Sequence, residues 1–337
     1  MSARVFVAGD ANLDLVLRGD VVPRFGQAEQ LLTSADLVLG SSAGICASGL
    51  SRLGLDVALV ARVGGDVFGD QTLRFLTDNG VETTSVLRTA APTGVSVILS
   101  ATGDRAILTL AGAMTMLSVD DVRSALAGVP GGHLHIASLF LLPDLAAGLP
   151  GLLAEARAAG FTTSLDTNWD PAELWDGVEA CLPHLDVFLP NAAEAVAIAG
   201  SIAGSIAGSP LDAPAAARML AAHGPIVVVK DGSAGGFAVA GDELVRAAGL
   251  AIDVVDTTGA GDSFDAGFLR AWLAGEDVAT SLRWGTVAGS LSTRGTGGTG
   301  GQTTLEELTA ALGSAALGSA ALGSAGLGSA AGRTHAP

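Results

Sequence analysis

The stretch of the chain with the clearest chemical potential is DTTGAGDSFDAGFL, at residues 256–269. Three small residues, Gly259, Ala260 and Gly261, stand directly before an acid, Asp262, and an amphipathic run at helical spacing follows them. This order predicts a tight loop that leads into a helix, where free backbone N–H groups and the helix dipole attract an anion. An acid beside such a site could deprotonate a hydroxyl group while the N–H groups hold a phosphoryl group. The simpler alternative is a helix start stabilised by Asp262.

Composition and charge restrict the kinds of partner. The chain has 337 residues, of which 49% are hydrophobic, enough for one large α/β domain or two small ones. A net charge of −17 argues against nucleic acid and anionic membranes as partners. No signal peptide or uninterrupted membrane-spanning stretch is visible, which predicts a cytoplasmic protein. Cys46 and Cys181 have no metal-binding spacing, and we expect two buried thiols.

Buried strands and helices alternate along most of the chain. Strands are predicted at 4–9, 56–63, 133–139, 162–166, 186–190 and 226–230, and helices at 43–53, 68–79, 145–159, 213–223 and 278–292. This alternation is typical of a mainly parallel sheet with helices on both faces. The sequence therefore predicts an α/β protein with a Rossmann-like, three-layer αβα architecture.

Two regions depart from this alternation. Residues 93–110 predict a β-hairpin with its turn at Thr102–Asp104, and residues 13–18 alternate between apolar and polar side chains. Together they could form a small separate sheet that acts as a lid over a ligand cleft; a decoration at the sheet edge is the alternative. The repeat GSIAGSIAGSP at 200–210 predicts a surface loop. The five-residue repeats from Gly313 predict a low-complexity, disordered tail at 313–337, and extension of the final helix into part of it is the alternative.

Residues 256–269 resemble the C-terminal signature of the ribokinase-like (PfkB) family of carbohydrate kinases. Gly40, Ser41 and the helix after them resemble its N-terminal signature, and the resemblance covers roughly residues 4–312. It implies one kinase domain at 1–312 with a ribokinase-like fold, whose β lid lies within about 11–38 and 93–112. It also implies that Asp262 is the catalytic base and that the amides of Gly259–Gly261 form an anion hole.

The same resemblance implies roles for residues elsewhere in the chain. The residues that match acceptor-binding positions are Asn12, Asp14, Gly40, Ser41 and Asp166. Ile45 stands where the family commonly has an Asn that contacts the sugar, which predicts a substrate that differs from ribose at that edge. The residues that match nucleotide-binding positions are Asn191, Lys230, Gly232, Gly235 and Gly261, with the adenine expected near 285–289.

Metal sites are implied in the same way. Asn191 and Glu194 match an N-x-x-E motif that organises Mg²⁺ near the phosphates, partly through water, and a helix cap is the alternative interpretation. Asp256 and Thr258 match residues that bind K⁺ in potassium-activated members, with the loop 292–297 opposite them. ATP and Mg²⁺ are therefore the expected cofactors, and K⁺ is a further candidate.

These features predict ATP-dependent phosphorylation of a primary hydroxyl on a neutral carbohydrate. Trp169 and Asp170 follow a D-x-N segment where sugar-acid kinases often have Arg, which argues against a sugar acid. A phosphorylated sugar would require cationic side chains around the cleft, and Arg105 is the only obvious candidate in the sequence, so a neutral acceptor is favoured. A nucleoside kinase, with Ile45 against the base, and a catalytically silent sugar or nucleotide sensor are the alternatives. A dinucleotide-dependent oxidoreductase is disfavoured because GAGDSF lacks the G-x-G-x-x-G order. The family resemblance also implies a homodimer formed through the lid strands.

Overall fold

The computed structural model describes residues 4–27, 29–101, 104–204 and 211–314. Within these residues the strands fall into two sheets. In chain order the strands are β1 (Val5–Ala8), β2 (Asn12–Gly19), β3 (Leu32–Leu39), β4 (Val57–Gly64), β5 (Val86–Thr89), β6 (Gly94–Ala101), β7 (Asp104–Leu110), β8 (Gly132–Ala137), β9 (Phe161–Asp166), β10 (Val187–Phe188), β11 (Ile226–Lys230), β12 (Gly236–Ala240) and β13 (Glu243–Ala247).

The main sheet has the strand order β13-β12-β11-β10-β9-β8-β1-β4-β5. The seven strands from β11 to β5 in this order are parallel, and β12 and β13 add an antiparallel edge. Because parallel strands end on the same side of a sheet, the residues after β1, β9 and β11 meet at one edge. The predicted α/β class and mainly parallel sheet are confirmed.

Helices cover both faces of this sheet. They are α1 (Ser42–Arg52), α2 (Val67–Asp78), α3 (Val119–Leu126), α4 (Pro143–Ala146), α5 (Leu149–Ala158), α6 (Val178–Cys181), α7 (Ala192–Ala203), α8 (Ala213–Ala221), α9 (Ala260–Trp272), α10 (Val278–Ser292), α11 (Gly297–Gly300) and α12 (305–314). In β1, Val5 and Val7 pack into the core with α1, α9 and α10, whereas Phe6 and Ala8 pack with α5, α7 and α8. The alternation of side chains along the strand thus produces the predicted three layers.

The second sheet has four strands in the order β3-β2-β6-β7. Strand β2 pairs parallel with β6, and the β2–β3 and β6–β7 pairs are antiparallel. The predicted hairpin and its association with residues 13–18 are confirmed, and β3 completes the sheet. Residues 102 and 103 of the predicted turn lie outside the described residues. Since the chain passes from the end of β1 at Ala8 to the start of β2 at Asn12, this small sheet stands beside the edge of the main sheet where β1 ends.

A few local predictions differ from the structure. The helix predicted at 145–159 is divided into α4 and α5, with Gly148 between them. Residues 200–203 of the predicted loop belong to α7, and 205–210 lie outside the described residues. The last helix extends through Gly313 to residue 314, and the remainder of the predicted tail lies outside the described residues. Cys46 and Cys181 are buried free thiols, as expected. No helix among the described residues is long and apolar enough to span a membrane.

Candidate active site

The start of α9 has the geometry of an anion site. Gly259 caps the helix with φ +71°, a backbone conformation that L side chains rarely adopt, and a Cβ there would lie 2.7 Å from Gly298 Cα. The N–H of Ala260 donates to the Thr257 carbonyl at 3.2 Å. The N–H groups of Gly259, Gly261 and Asp262 have no hydrogen-bond partner among the described residues. Of the three amides predicted for the anion hole, the structure therefore leaves those of Gly259 and Gly261 available, and the N–H of Asp262 adds a third donor.

Asp262 lies in the first turn of α9, with its side chain turned toward the start of α1. Its Oδ1 accepts a hydrogen bond from the Ser42 hydroxyl. Burial, and then the negative charge of Asp166, raises the pKa of Asp262 to about 7, against the opposing effect of the Ser42 hydrogen bond. A carboxyl group with this pKa is substantially ionised at neutral pH and still basic enough to accept a proton from a hydroxyl group.

Lys230 joins the ends of two strands to α9. Its Nζ donates to Asp166 Oδ2 at 2.8 Å and to Asp265 Oδ2 at 3.0 Å. Burial opposes the charge on Lys230, but the two carboxylates outweigh it and hold its pKa above the usual value. Nζ also lies 3.8 Å from the position that a Cβ on Gly261 would take. The only lysine of the chain therefore lies, with its side chain 12% exposed, beside the N-terminal turn that carries the free amides.

Three carboxylates gather around this lysine. Oxygens of Asp166, Asp262 and Asp265 lie within 4.8 Å of one another. Burial would raise the pKa of Asp166, yet Lys230 holds it below its ordinary value. The pKa of Asp265 is well above its ordinary value because of burial and the nearby Asp166, despite Lys230. Two of the three carboxylates thus have the ammonium group as their compensating charge.

A cavity of about 510 Å³ adjoins the start of α9. Its lining includes four of the residues predicted to bind nucleotide, Lys230, Gly232, Gly235 and Gly261. It also includes Thr286 and Gly289 of α10, in the range where the adenine was expected, and apolar residues of the segment after β13: Leu250, Ile252 and Val254. The cavity combines an apolar wall with a polar end at the helix N-terminus, the pattern of a small-molecule site.

Asn191 and Glu194 form a capping box at the start of α7. Asn191 Oδ1 accepts from the Glu194 N–H at 2.9 Å, and the Asn191 N–H donates to Glu194 Oε2 at 2.8 Å. Burial, followed by the charge of Asp166, raises the pKa of Glu194 to about 7. The backbone of Asn191 pairs with that of Lys230 in an isolated parallel β-bridge, where two neighbouring strands end. The helix cap is therefore formed, and Glu194 Oε1 accepts no hydrogen bond from the described residues, so it can accept one from metal-bound water.

Asn12, Asp14 and Gly40 meet at the edge of the small sheet. Asn12 Nδ2 donates to Asp14 Oδ1 at 3.2 Å, and a Cβ on Gly40 would lie 2.3 Å from that oxygen. Only glycine leaves room for the Asp14 side chain at this point. Burial, and then the charge of Asp10, raises the pKa of Asp14 to about 6. The predicted acceptor residues Asn12, Asp14 and Gly40 are therefore in direct contact.

Two other predicted acceptor residues, Ser41 and Ile45, make structural contacts at the start of α1. Ser41 is the N-cap of this helix, and its hydroxyl accepts from the Gly44 N–H at 3.1 Å. Ile45 is 4% exposed, and a Cβ on Gly298 would lie 2.2 Å from its Cδ1. The structure thus places Ile45 in the packing between α1 and α11.

The residues predicted to bind K⁺ join two loops. Asp256 Oδ1 accepts from the Thr258 N–H at 2.9 Å and from its hydroxyl at 2.7 Å, and Oδ2 accepts from the Gly297 N–H at 3.0 Å. The predicted partner loop at 292–297 is therefore in contact with Asp256. A guanidinium nitrogen of Arg18, on lid strand β2, lies 3.7 Å from Asp256 Oδ2. Arg18 thus places a positive charge beside this carboxylate.

Sequence reasoning missed three polar residues of the site. Asp10 accepts from the N–H groups of Ser42 and Ala43 at 3.2 and 3.0 Å, which holds the start of α1 beside the end of β1. Ser42 bonds to Asp262, and Asp265 bonds to Lys230. One signal was present for Asp265, because it lies three residues after Asp262 and so on the same side of the helix.

Comparisons with known proteins identify the family and the fold of the chain. Residues 5–305 match the profile of the pfkB family carbohydrate kinases. Ribokinase from Bacillus subtilis is 28% identical over 310 residues, which cover 91% of this chain and 99% of that protein. ATP-dependent ribose-1-phosphate kinase from Halopiger xanaduensis is 32% identical over 294 residues, 86% of this chain and 91% of that protein.

The structure of Arabidopsis thaliana ribokinase complexed with ribose and ATP superimposes with a TM-score of 0.77 at 23% identity, covering 93% of this chain and 99% of the other. That likeness confirms the ribokinase-like fold. The family profile extends over nearly all of the described residues. The chain belongs to the PfkB family of carbohydrate kinases, phosphotransferases that act on sugar hydroxyl groups.

Proposed function

We propose that the protein transfers the γ-phosphoryl group of ATP to a primary hydroxyl group of a neutral sugar, with Asp262 as the general base. The position of Asp262 carries this proposal. It directly follows Ala260 and Gly261, which line the large cavity, and its side chain bonds to Ser42 at the start of α1. Asp262 therefore lies at the junction between the cavity and the acceptor residues, where an acceptor hydroxyl and a nucleotide phosphate would meet.

The two sides of this junction differ in chemistry. On the acceptor side, Asp14 and Asn12 offer a carboxylate and an amide to sugar hydroxyl groups, each of which can donate and accept a hydrogen bond. On the cavity side, the free N–H groups of Gly261 and Asp262 and the ammonium group of Lys230 offer positive charge to a phosphoryl group. Asp262 would accept the hydroxyl proton as the oxygen attacks phosphorus.

Glu194 and Asn191 are the residues that would hold Mg²⁺ through water. The free Oε1 of Glu194 and the hard oxygen donors of both side chains suit this ion. When bound with the nucleotide, the metal would supply positive charge to its phosphate oxygens. Lys230 lies beside Asn191, so the chain supplies its own cation on the same side of the junction.

A phosphorylated sugar is the second candidate acceptor. Arg105, on lid strand β7, lies with a guanidinium nitrogen 3.4 Å from Thr258 Oγ1. Its charge partly offsets the rise in the pKa of Asp14 that burial and Asp10 cause. The relative from Halopiger xanaduensis is named a ribose-1-phosphate kinase. A neutral acceptor remains the first proposal because buried acids, Asp10 and Asp14, dominate this side.

An acceptor screen tests the proposal. ADP release would be measured with ATP, Mg²⁺ and, in turn, D-ribose, D-fructose, ribose 1-phosphate and adenosine. We expect the highest kcat/KM with a neutral sugar. A higher value with ribose 1-phosphate would establish the second candidate, one with adenosine a nucleoside kinase. No turnover with any acceptor, while ATP still binds, would indicate a sensor.

The Asp262→Asn variant tests the base. General-base assistance contributes about 10²–10⁴ in rate, so kcat should fall by at least about 100-fold while ATP binding is retained. Asp277→Asn is the matched control, because Asp277 caps α10 through the Thr280 N–H at 2.7 Å and Asn caps a helix equally well. Wild-type kcat in Asp262→Asn would refute the role of Asp262.

A further inference from the structure

The Ser42 hydroxyl makes the contact between α1 and the proposed base. Ser42 is the first residue of α1 and is 9% exposed. Its N–H donates to Asp10 at 3.2 Å, which fixes the backbone, and its Oγ donates to Asp262 Oδ1. Asn168 Oδ1, at 3.4 Å from the same hydroxyl, is the other acceptor within reach. Because a hydroxyl has one proton, the shorter, charge-assisted bond to Asp262 takes it.

This bond involves only one oxygen of the carboxylate. Asp262 Oδ2 accepts no hydrogen bond from the described residues. With Oδ1 held by Ser42, rotation of the carboxylate would break a charge-assisted hydrogen bond, so the orientation of Oδ2 is set before a substrate arrives. General-base catalysis depends on such orientation, since the accepting oxygen must lie within hydrogen-bond reach of the hydroxyl proton.

We propose that Ser42 is a positioning residue, whose hydroxyl holds Oδ1 of Asp262 so that Oδ2 is presented to the acceptor hydroxyl. This inference rests on the proposed role of Asp262 as the base. Since Ser42 is on α1 and Asp262 is on α9, the bond also aligns the helix beside the acceptor residues with the helix beside the nucleotide cavity. Ser42 itself transfers no proton.

The charged groups that face Asp262 come from several elements. They are Asp10 after β1, Asp166 at the end of β9, Lys230 at the end of β11 and Asp265 on α9. A substitution of Ser42 changes none of these charges. The difference between wild type and a Ser42 variant therefore isolates the hydrogen bond, which stabilises the ionised form of Asp262.

Carboxyl ¹³C NMR titration of the ligand-free protein tests the bond without any acceptor. The resonance that Asp262→Asn removes identifies Asp262. In Ser42→Ala the pKa of Asp262 should rise by about one unit, because a hydrogen bond to the charged form is lost. Ser42→Thr keeps the hydroxyl and should restore the wild-type value. Ser48→Ala is the control, since Ser48 is a buried serine of the same helix that bonds only to the Gly44 carbonyl, at 2.8 Å.

The kinetic arm uses the neutral sugar with the highest turnover in the acceptor screen. Ser42→Ala should lower kcat about tenfold with little change in the KM for ATP. The pKa that limits kcat on the acidic side of its pH profile should rise by the same amount as the pKa titrated by NMR. An unshifted pKa in Ser42→Ala overturns the inference, whatever the activity. Wild-type activity in Asp262→Asn would instead refute Asp262 as the base, while the pKa shift in Ser42→Ala would still show the hydrogen bond. The failure of this inference and the failure of the proposed function therefore give different results.

Discussion

Replacement of Lys230 by Met would remove the one positive charge that the described residues bond to Asp166 and Asp265. Both carboxylates are at most 2% exposed, and the lysine side chain is 12% exposed, so water cannot replace the ammonium group. Removal of one partner from a buried ion pair typically costs about 3–5 kcal/mol, since the remaining charge is left uncompensated. Met retains most of the side-chain volume, so the loss of packing should be small.

The expected size of this effect can be converted into a melting temperature. For a chain of 337 residues the unfolding entropy is about 0.7 kcal/mol per degree. A loss of about 3–5 kcal/mol therefore corresponds to a fall in Tm of roughly 4–7 °C at pH 8. Differential scanning calorimetry of wild type and Lys230→Met in the same buffer measures it.

The destabilisation should depend on pH. In Lys230→Met, Asp166 loses the charge that holds its pKa below the ordinary value, so burial raises its folded-state pKa above the unfolded value. A raised carboxyl pKa contributes stability below the unfolded pKa, and that stability is lost as the pH rises through the folded pKa. The pKa of Lys230 in the wild type is above its usual value, so its own charge does not change between pH 5 and 8. The Tm deficit should therefore be smaller at pH 5 than at pH 8, by the equivalent of about 1 kcal/mol or more.

A double variant provides the internal control. Asp265→Asn in the Lys230→Met background replaces the carboxyl group that faces Asp166 by an amide that cannot become charged at pH 8, so it should recover part of the lost stability. In the wild-type background the same Asp265→Asn change should be destabilising, because it weakens the pairing with Lys230. Equal Tm values for wild type and Lys230→Met at pH 8, or additive effects in the double variant, would refute the view that these residues form one charge-compensated unit.

Three further predictions concern the proposed kinase site. The kcat/KM of the wild type should fall on acidification with a midpoint near pH 7, because Asp262 must be ionised to act as the base. A kcat/KM that is constant from pH 5.5 to 8 would contradict this. Gly259→Ala should lower kcat roughly 100-fold because its Cβ would collide with the backbone of Gly298 in α11. Gly275→Ala, at φ +90° in open space, should cost only about 1–2 kcal/mol of stability, with turnover retained. Glu194→Gln keeps an acceptor for the Asn191 N–H but removes the negative charge. The Mg²⁺ concentration for half-maximal rate should therefore rise roughly tenfold while the Tm is unchanged. An unchanged Mg²⁺ requirement would indicate that Glu194 is only a helix cap.

Much of the fold could be predicted because its signals are local. The buried strand at Val5–Ala8 and the helix after Asp262 follow from the spacing of apolar residues along short segments. Glycines at 259 and 261 mark the loop-to-helix transition in the sequence itself. The division of the predicted helix at Gly148 was missed, since a single glycine inside an apolar run gives only a weak signal for a break.

The sequence by itself determined the parallel architecture, the lid hairpin and the acid placed at a helix N-terminus. Only the tertiary structure showed that Ser42 bonds to Asp262 across 220 residues, and that Lys230 bonds to Asp166 across 64. The order of strands in the sheet and the packing of α1 on α9 create these contacts, and no local pattern encodes such pairings. Because burial sets the pKa of Asp262 near 7, the chemistry of the acid was decided by the fold around it.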